Sequence, residues 1–160
     1  MTDVDTALAQ LRTVCQKACD AEEARDTART ERRRILEQQW EHLRPLGYKL
    51  MAGHVGPSTS AATLRTAAKG LLPRTPRGPR FSPSITAEQR AALDELRDVS
   101  ERLVTAEKAL KDALNERHFA IRAAWPVVGG MGAAKVARSL GDRLVGESTI
   151  RQAVADLQRA

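Results

Sequence analysis

Apolar residues recur at three- and four-residue spacing along two long stretches of the chain. The first stretch runs from Val4 to Leu36 and the second from Leu93 to Ile121, through Leu110 and Leu114. This spacing places the apolar side chains on one face of an α-helix. Neither stretch contains Gly or Pro before its end. The pattern therefore predicts long helices at 3–43 and 86–125, the second capped by Ser84 or Thr86 and ended by Pro126.

A single helix of about 38 residues cannot bury its apolar stripe, so each predicted long helix needs a partner helix. The natural partner is the other long helix of the same chain, which predicts a coiled-coil scaffold. An antiparallel hairpin is the simplest path for the chain. A parallel arrangement, or a homodimer in which two chains pair their long helices, is left open.

The long helices belong to a longer internal repeat. A shift of 85 positions aligns the chain with itself from about residue 7 to residue 47, and the identities include Leu11 with Leu96, Arg12 with Arg97 and Trp40 with Trp125. A one-residue step after Gly47 then matches Lys49 with Lys135, Thr63 with Thr149 and Arg65 with Arg151. The chain is therefore predicted to be a duplication, with repeat 1 at 1–70, a linker at 71–84 and repeat 2 at 85–160.

Two short helices are predicted after each long helix, as a module at 132–159 in repeat 2 and at 47–70 in repeat 1. In repeat 2 the first runs from Ala133 to a Gly141 stop, and the second follows Gly146 with Ile150, Val154 and Leu157 on its buried side. In repeat 1 the second short helix is predicted at 61–69, capped by Ser60 and stopped by Gly70.

The segment Val136-Ala137-Arg138-Ser139-Leu140-Gly141, followed by Val145-Gly146-Glu147-Ser148-Thr149-Ile150-Arg151, resembles the helix-turn-helix of bacterial DNA-binding proteins. The resemblance covers about residues 132–159. The connection from Gly141 to Gly146 spans six residues, longer than the usual turn of about three or four residues. A helical hairpin that only caps the scaffold is the structural alternative.

The resemblance implies that the second short helix of repeat 2 enters the major groove by its first turn. It implies contacts to phosphates and base edges from Ser148, Thr149, Arg151 and Gln152, with Arg151 suited to guanine and Gln152 to adenine, beside Lys135 on the preceding helix. In repeat 1, Lys49, Thr63 and Arg65 align with Lys135, Thr149 and Arg151, and Lys69 adds a further cation, so this module favours phosphate contact. A repeat 1 kept only for packing is the alternative.

The distribution of charge favours a polyanionic partner. The chain has 26 basic and 20 acidic residues and a net charge of +6, and no acid lies between Glu41 and Glu88. An acid-free basic segment is typical of contact with a polyanion, whereas a solvated helix face mixes both signs. The linker repeats arginine at every third position, at Arg74, Arg77 and Arg80. Insertion into a narrow minor groove, diffuse phosphate contact and a plain spacer all fit this pattern.

Other chemistry finds little support in the sequence. His42, His54 and His118 have no acid, Ser or Cys partner at a telling spacing, so no catalytic residue is predicted. Cys15 and Cys19 lack further metal ligands, and the glycines at 129–132 match no phosphate-binding motif, so no metal and no cofactor are predicted. The chain has no apolar stretch of 18 residues and no signal-peptide pattern, which predicts a cytoplasmic protein without membrane contact. The predicted binding to DNA adds association with the nucleoid.

The sequence thus predicts an all-α, duplicated, non-enzymatic protein that binds double-stranded DNA. Its expected role is that of a sequence-specific transcriptional regulator or an organiser of a DNA site. The alternative from another class is a coiled-coil adaptor that binds a protein partner, with the terminal helical hairpins as caps.

Overall fold

The computed structural model of the chain describes residues 3–76, 84–141 and 143–158, and within these ranges it is all-helical, with no strand. The described residues form six α-helices and two 3₁₀-helices. In chain order they are α1 (Val4–Leu43), a 3₁₀-helix (Arg44–Leu46), α2 (Gly47–Val55), α3 (Ala61–Ala67), α4 (Ala87–Val128), a 3₁₀-helix (Gly129–Met131), α5 (Ala133–Leu140) and α6 (Glu147–Val154). The prediction of an all-α chain with two long helices is confirmed.

Two helix starts follow the predicted capping chemistry. The hydroxyl of Ser60 accepts a hydrogen bond from the Thr63 backbone N–H at 3.1 Å, which satisfies one unpaired donor of α3. At the start of α4, Thr86 Oγ1 accepts from Gln89 N at 3.1 Å and Gln89 Oε1 accepts from Thr86 N at 3.0 Å. This reciprocal pair is a capping box, and it selects Thr86 rather than Ser84 as the cap.

Three details of the sequence prediction are wrong. Helix α4 continues past Pro126 to Val128, because a proline near the end of a helix removes a single backbone donor and the last turn still packs. Helix α3 ends at Ala67, before Gly70. Leu114 and Leu157, predicted to be buried, are 38% and 41% exposed, and Leu157 lies beyond the last residue of α6.

The chain divides into two compact units, unit 1 from residues 1–23 and 107–160 and unit 2 from residues 24–106. The core of unit 1 joins the beginning of α1, the end of α4 and the helices α5 and α6. The core of unit 2 joins the end of α1, the beginning of α4 and the helices α2 and α3. Each pair of short helices is therefore packed by the long helix that precedes it and by the beginning of the other long helix.

In unit 2 the segments of α1 and α4 run antiparallel. Gln89 Nε2 donates to the His42 carbonyl at 3.1 Å, and Arg102, later in α4, pairs with Glu31, earlier in α1, at 2.8 and 2.9 Å. The two hydrogen bonds from Arg102 hold the pKa of Glu31 below its ordinary value. In unit 1, Lys17 of α1 pairs with Glu116 of α4 at 2.5 Å.

The two units bury matching positions of the two halves of the sequence. Residues 85 positions apart are buried in both units, among them Leu11 with Leu96, Leu36 with Ile121, Leu43 with Val128, Met51 with Val136 and Val55 with Leu140. Gly47 and Gly132 share a positive φ of 75° and 82°, a backbone conformation that favours glycine.

The one-residue step between the halves lies later than the sequence alignment suggests. Gly56 and Gly141, still 85 apart, both have positive φ and end α2 and α5, whereas buried Leu64 and Ile150 are 86 apart. The extra residue is thus in the connection between the short helices. Lys49 consequently matches Ala134, and its sequence alignment with Lys135 is wrong.

The burial of Leu64 on α3 predicts a large effect of its truncation. Its side chain is fully buried, so Leu64→Ala should lower the free energy of unfolding by about 2–5 kcal/mol, through lost burial and a residual cavity. Leu72→Ala is the matched control, because Leu72 is 74% exposed, and it should change stability by less than about 0.5 kcal/mol. Urea denaturation measures both, and equal losses for the two variants would contradict the packing of α3.

Candidate nucleic-acid interface

Arginines of the long helices bond to the carbonyl ends of the first short helix in each pair. Arg12 Nη2 of α1 donates to the Ser139 carbonyl at the end of α5 at 2.7 Å, and Arg97 Nη2 of α4 donates to the His54 carbonyl at the end of α2. Arg12 and Arg97 are 85 positions apart in the sequence, as are their acceptors. A cation at a helix C-terminus satisfies a carbonyl without an intrahelical partner and interacts favourably with the helix dipole.

The second short helix of each pair is held at the same end. Arg33 Nη1 of α1 donates to the carbonyls of Ala67 at 2.9 Å and Lys69 at 2.7 Å, at the end of α3. Arg122 Nη1 of α4 donates to the Ala153 carbonyl at 3.0 Å, at the end of α6. All four short helices in the described part of the chain thus have a C-terminal carbonyl bonded to an arginine of a long helix.

Arg122 also forms a bidentate ion pair with Asp156, which lies just beyond the end of α6. Its Nη1 and Nη2 donate to the two carboxylate oxygens at 2.5 and 2.9 Å. These hydrogen bonds lower the pKa of Asp156 to about 2. The end of α6 is therefore fastened to α4 by one charged pair and one backbone bond.

Helix α6 buries one side and exposes the other. Ile150, Ala153 and Val154 are buried in the core of unit 1. The predicted contact residues Ser148, Arg151 and Gln152 are exposed, and Thr149 is half-buried. The Arg151 guanidinium pairs with the carboxylate of Glu147, one turn earlier on the same helix. The exposed side thus combines hydroxyl, amide, cationic and anionic groups.

Helix α3 exposes a face of different chemistry. Leu64 is buried, and Thr63, Arg65, Thr66 and Lys69 are exposed. The Thr63 hydroxyl shares a 2.8 Å hydrogen bond with Ser60, and the Thr66 hydroxyl donates to the Ala62 carbonyl at 3.1 Å. Because both hydroxyls bond within the helix region, Arg65 on α3 and Lys69 just beyond it are the main hydrogen-bond donors that this face offers to a ligand.

Arg65 is positioned by an aromatic contact with α2. Its guanidinium carbon lies 5.6 Å from the centre of the Tyr48 ring, within the range of a cation–π interaction. Tyr48 in turn lies 6.2 Å, centre to centre, from Trp40 of α1, whose Nε1 donates to the Pro73 carbonyl at 2.7 Å. This chain of contacts connects α1 to the residue that sequence reasoning nominated on α3.

The remaining predicted residues that the structure describes also divide between unit 1 and unit 2. Lys49 on α2 and Arg74 after α3 are exposed in unit 2, and Lys135 on α5 is exposed in unit 1. Arg77 and Arg80, predicted in the linker, lie outside the described residues. The predicted residues of unit 2 are thus Lys49, Thr63, Arg65, Lys69 and Arg74, and those of unit 1 are Lys135, Ser148, Thr149, Arg151 and Gln152.

Sequence reasoning missed several charged residues. Arg138 on α5 and Arg143 before α6 are exposed cations of unit 1 that the pattern did not single out. The carbonyl bonds of Arg12, Arg33, Arg97 and Arg122 were also missed. The repeated identity of Arg12 and Arg97 is the one sequence signal that pointed to a shared role.

The two pairs of short helices differ in charge. Residues 44–76 contain Arg44, Lys49, Arg65, Lys69 and Arg74 and no acid. The described part of 133–158 contains Lys135, Arg138, Arg143 and Arg151 beside the acids Glu147 and Asp156. Unit 2 therefore presents the more uniformly positive short helices.

The cysteines are part of the packing of unit 1. Cys15 is fully buried, and burial raises the pKa of its thiol. Cys19 Sγ donates to the Leu144 carbonyl at 3.5 Å, in the connection between α5 and α6. In the described ranges no three or more His, Cys, Asp or Glu side chains are grouped so that they could hold a metal ion. Nor does any helix there have the length and apolarity needed to span a membrane.

The fold and the contacts define an all-α protein in which parts of both long helices support each of two pairs of short helices with exposed polar faces. Comparison of the chain with protein-family models, with curated proteins and with solved structures gives no match.

The ion pair of Arg122 with Asp156 predicts a shift in titration. In the intact protein Asp156 should titrate near pH 2. The variant Arg122→Gln should raise the pKa of Asp156 towards the ordinary value of 3.8. Because the folded pKa is lowered, the stabilising effect is present above about pH 4 and is lost as the pH falls towards about 2. Carboxyl NMR titration measures this shift. Arg138→Gln, at an exposed site on α5, is the control, and an unchanged Asp156 pKa in Arg122→Gln would contradict the pair.

Proposed function

We propose that the chain binds double-stranded DNA through the exposed faces of α3 and α6. The observation that carries the proposal is the way in which these two helices are packed and bonded to the long helices. Each buries one side, is bonded at its C-terminal end to an arginine of a long helix, and exposes a polar face that includes Thr63 on α3 and Ser148 on α6. The positive end of the α3 dipole lies at a first turn without an acid, which favours an approaching phosphate.

We further propose that each pair of short helices is a helix-turn-helix module, so that the chain carries two such modules in tandem on its long helices. The sequence of 132–159 resembles that class, and the pair α5–α6 supplies two short helices joined by a connection that ends at Gly146. The pair α2–α3 has matching buried positions and matching arginine bonds. These matches support a duplication of one DNA-binding module.

We propose different DNA contacts for the two modules. Helix α6 carries Arg151 and Gln152, whose forked donors and amide suit guanine and adenine edges, so we assign base contacts to it. Helix α3 exposes Arg65, and Lys69 is exposed just beyond its end. Both lie in an acid-free segment, so we assign phosphate contacts to this region. Such a protein acts as a regulator or organiser of a specific DNA site in the cytoplasm, bound to the nucleoid.

The equivalent positions Arg151 and Arg65 provide a matched test of this division. Arg151→Ala should reduce the preference for a selected site over random duplex by about 1–3 kcal/mol, because a base contact is lost. Arg65→Ala should weaken binding to every duplex alike and reduce the slope of log K against log salt by about 1. Fluorescence anisotropy with a site obtained from a randomised-duplex selection measures both.

Lys108→Ala is the control for general loss of positive charge, since Lys108 is an exposed cation on α4. It should leave both the affinity and the site preference nearly unchanged. An intact site preference in Arg151→Ala would contradict the assignment of base contacts to α6. A protein that binds no duplex at low salt, but is captured by a protein partner, would support an adaptor instead.

A further inference from the structure

Glu147 is an acid on the face that we propose for base contacts. It is the first residue of α6, and its carboxylate pairs with the guanidinium of Arg151. The side chains are 41% and 68% exposed, respectively. The other described acid near α6, Asp156, is held by Arg122 at the opposite end of the helix.

The corresponding helix of unit 2 lacks this pair. The position that matches Glu147, 86 residues earlier, is Ala61, and Arg65 lies over the Tyr48 ring instead of beside a carboxylate. The chain therefore carries two equivalent arginines on two equivalent helices, one paired with an acid and one not.

An acid at this position opposes simple attraction to DNA. A carboxylate is repelled by phosphates, and the repulsion grows when water is displaced from the interface. If Arg151 moved to a phosphate, the pair would break and Glu147 would be left unpaired near negative charge. In a helix that only held the DNA backbone, Glu147 would weaken binding, because its charge repels phosphates.

A guanine contact keeps the pair intact. Arginine has five N–H donors and the Arg151 guanidinium meets Glu147 at Nη2, so even a two-bond contact with the carboxylate leaves donors for the O6 and N7 acceptors of guanine. The carboxylate can also accept from the N4 amino group of cytosine. The pair thus favours G·C base pairs over the phosphate backbone.

We propose that Glu147 is a specificity-determining residue. Its carboxylate holds Arg151 for contact with a G·C base pair and disfavours contact of Arg151 with a phosphate. This inference rests on the proposed DNA-binding function. The effect of Glu147 is therefore to lower the affinity for random duplex and to raise the preference for the selected site.

The test compares Glu147→Gln with the intact protein on three duplexes. The first is the selected site, and the second is the same site with its G·C pairs replaced by A·T pairs. The third is a random duplex. Glu147→Gln should bind the random duplex about two- to fivefold more tightly, because a repulsive charge is removed. Its preference for the selected site over the substituted site should fall on the order of tenfold.

Ala61→Glu is the matched variant in unit 2. It adds to α3 the acid that α6 has naturally, and it should weaken binding to all three duplexes several-fold without loss of site preference. Circular dichroism confirms that each variant retains its helices. NMR of the Arg151 side-chain Nε–H group reports whether Glu147 holds the guanidinium in the DNA-free protein.

The outcomes separate this inference from the proposed function. If the intact protein prefers its selected site but Glu147→Gln keeps that preference, or weakens all duplexes equally, the role of Glu147 is wrong and DNA binding stands. If the intact protein binds no duplex at low salt, both proposals are wrong. A tighter and less selective Glu147→Gln supports both.

Discussion

The bonds from long-helix arginines to the carbonyl ends of the short helices are the interaction on which the structure most depends. A short helix of seven to nine residues is marginal in isolation, and its C-terminal carbonyls lack intrahelical partners. Arg12, Arg33, Arg97 and Arg122 supply those partners within the described part of the chain. The same bonds fix which end of each short helix stays accessible.

This constraint changes the meaning of the positive charge. A net charge of +6 suggests a surface made for a polyanion, yet these four arginines serve internal bonds. The cations that remain exposed on the short helices and their connections are fewer and more informative. They are acid-free between Arg44 and Arg74 and mixed with acids after Gly132. The contrast between Arg65 over Tyr48 and Arg151 beside Glu147 follows from that division.

Much of the fold could be predicted, because its signals are local. The apolar spacing predicted the long helices. Ser60 was recognised as a cap from residue type and position, and Thr86 was one of two candidate caps of the second long helix. Leu114 was misassigned, because a periodic stripe shows which face of a helix is apolar but not how fully each position on that face is covered. The internal repeat aligned Arg12 with Arg97 in sequence. Their carbonyl acceptors lie 127 and 43 residues away along the chain, so no local pattern could reveal these bonds. Glu147 was noted only as a polar residue, since its pairing with Arg151 is a matter of side-chain geometry.

The most direct measurement is a titration of the intact protein with duplex DNA at several salt concentrations. A protein that uses the exposed cations of α3 and α6 should bind at low salt, and log K should fall linearly with log salt, with a slope near −0.9 for each phosphate contacted. A residual preference for a selected site should persist at high salt, where base contacts dominate. Absence of binding at low salt, or an affinity that salt does not change, would contradict a role in DNA binding.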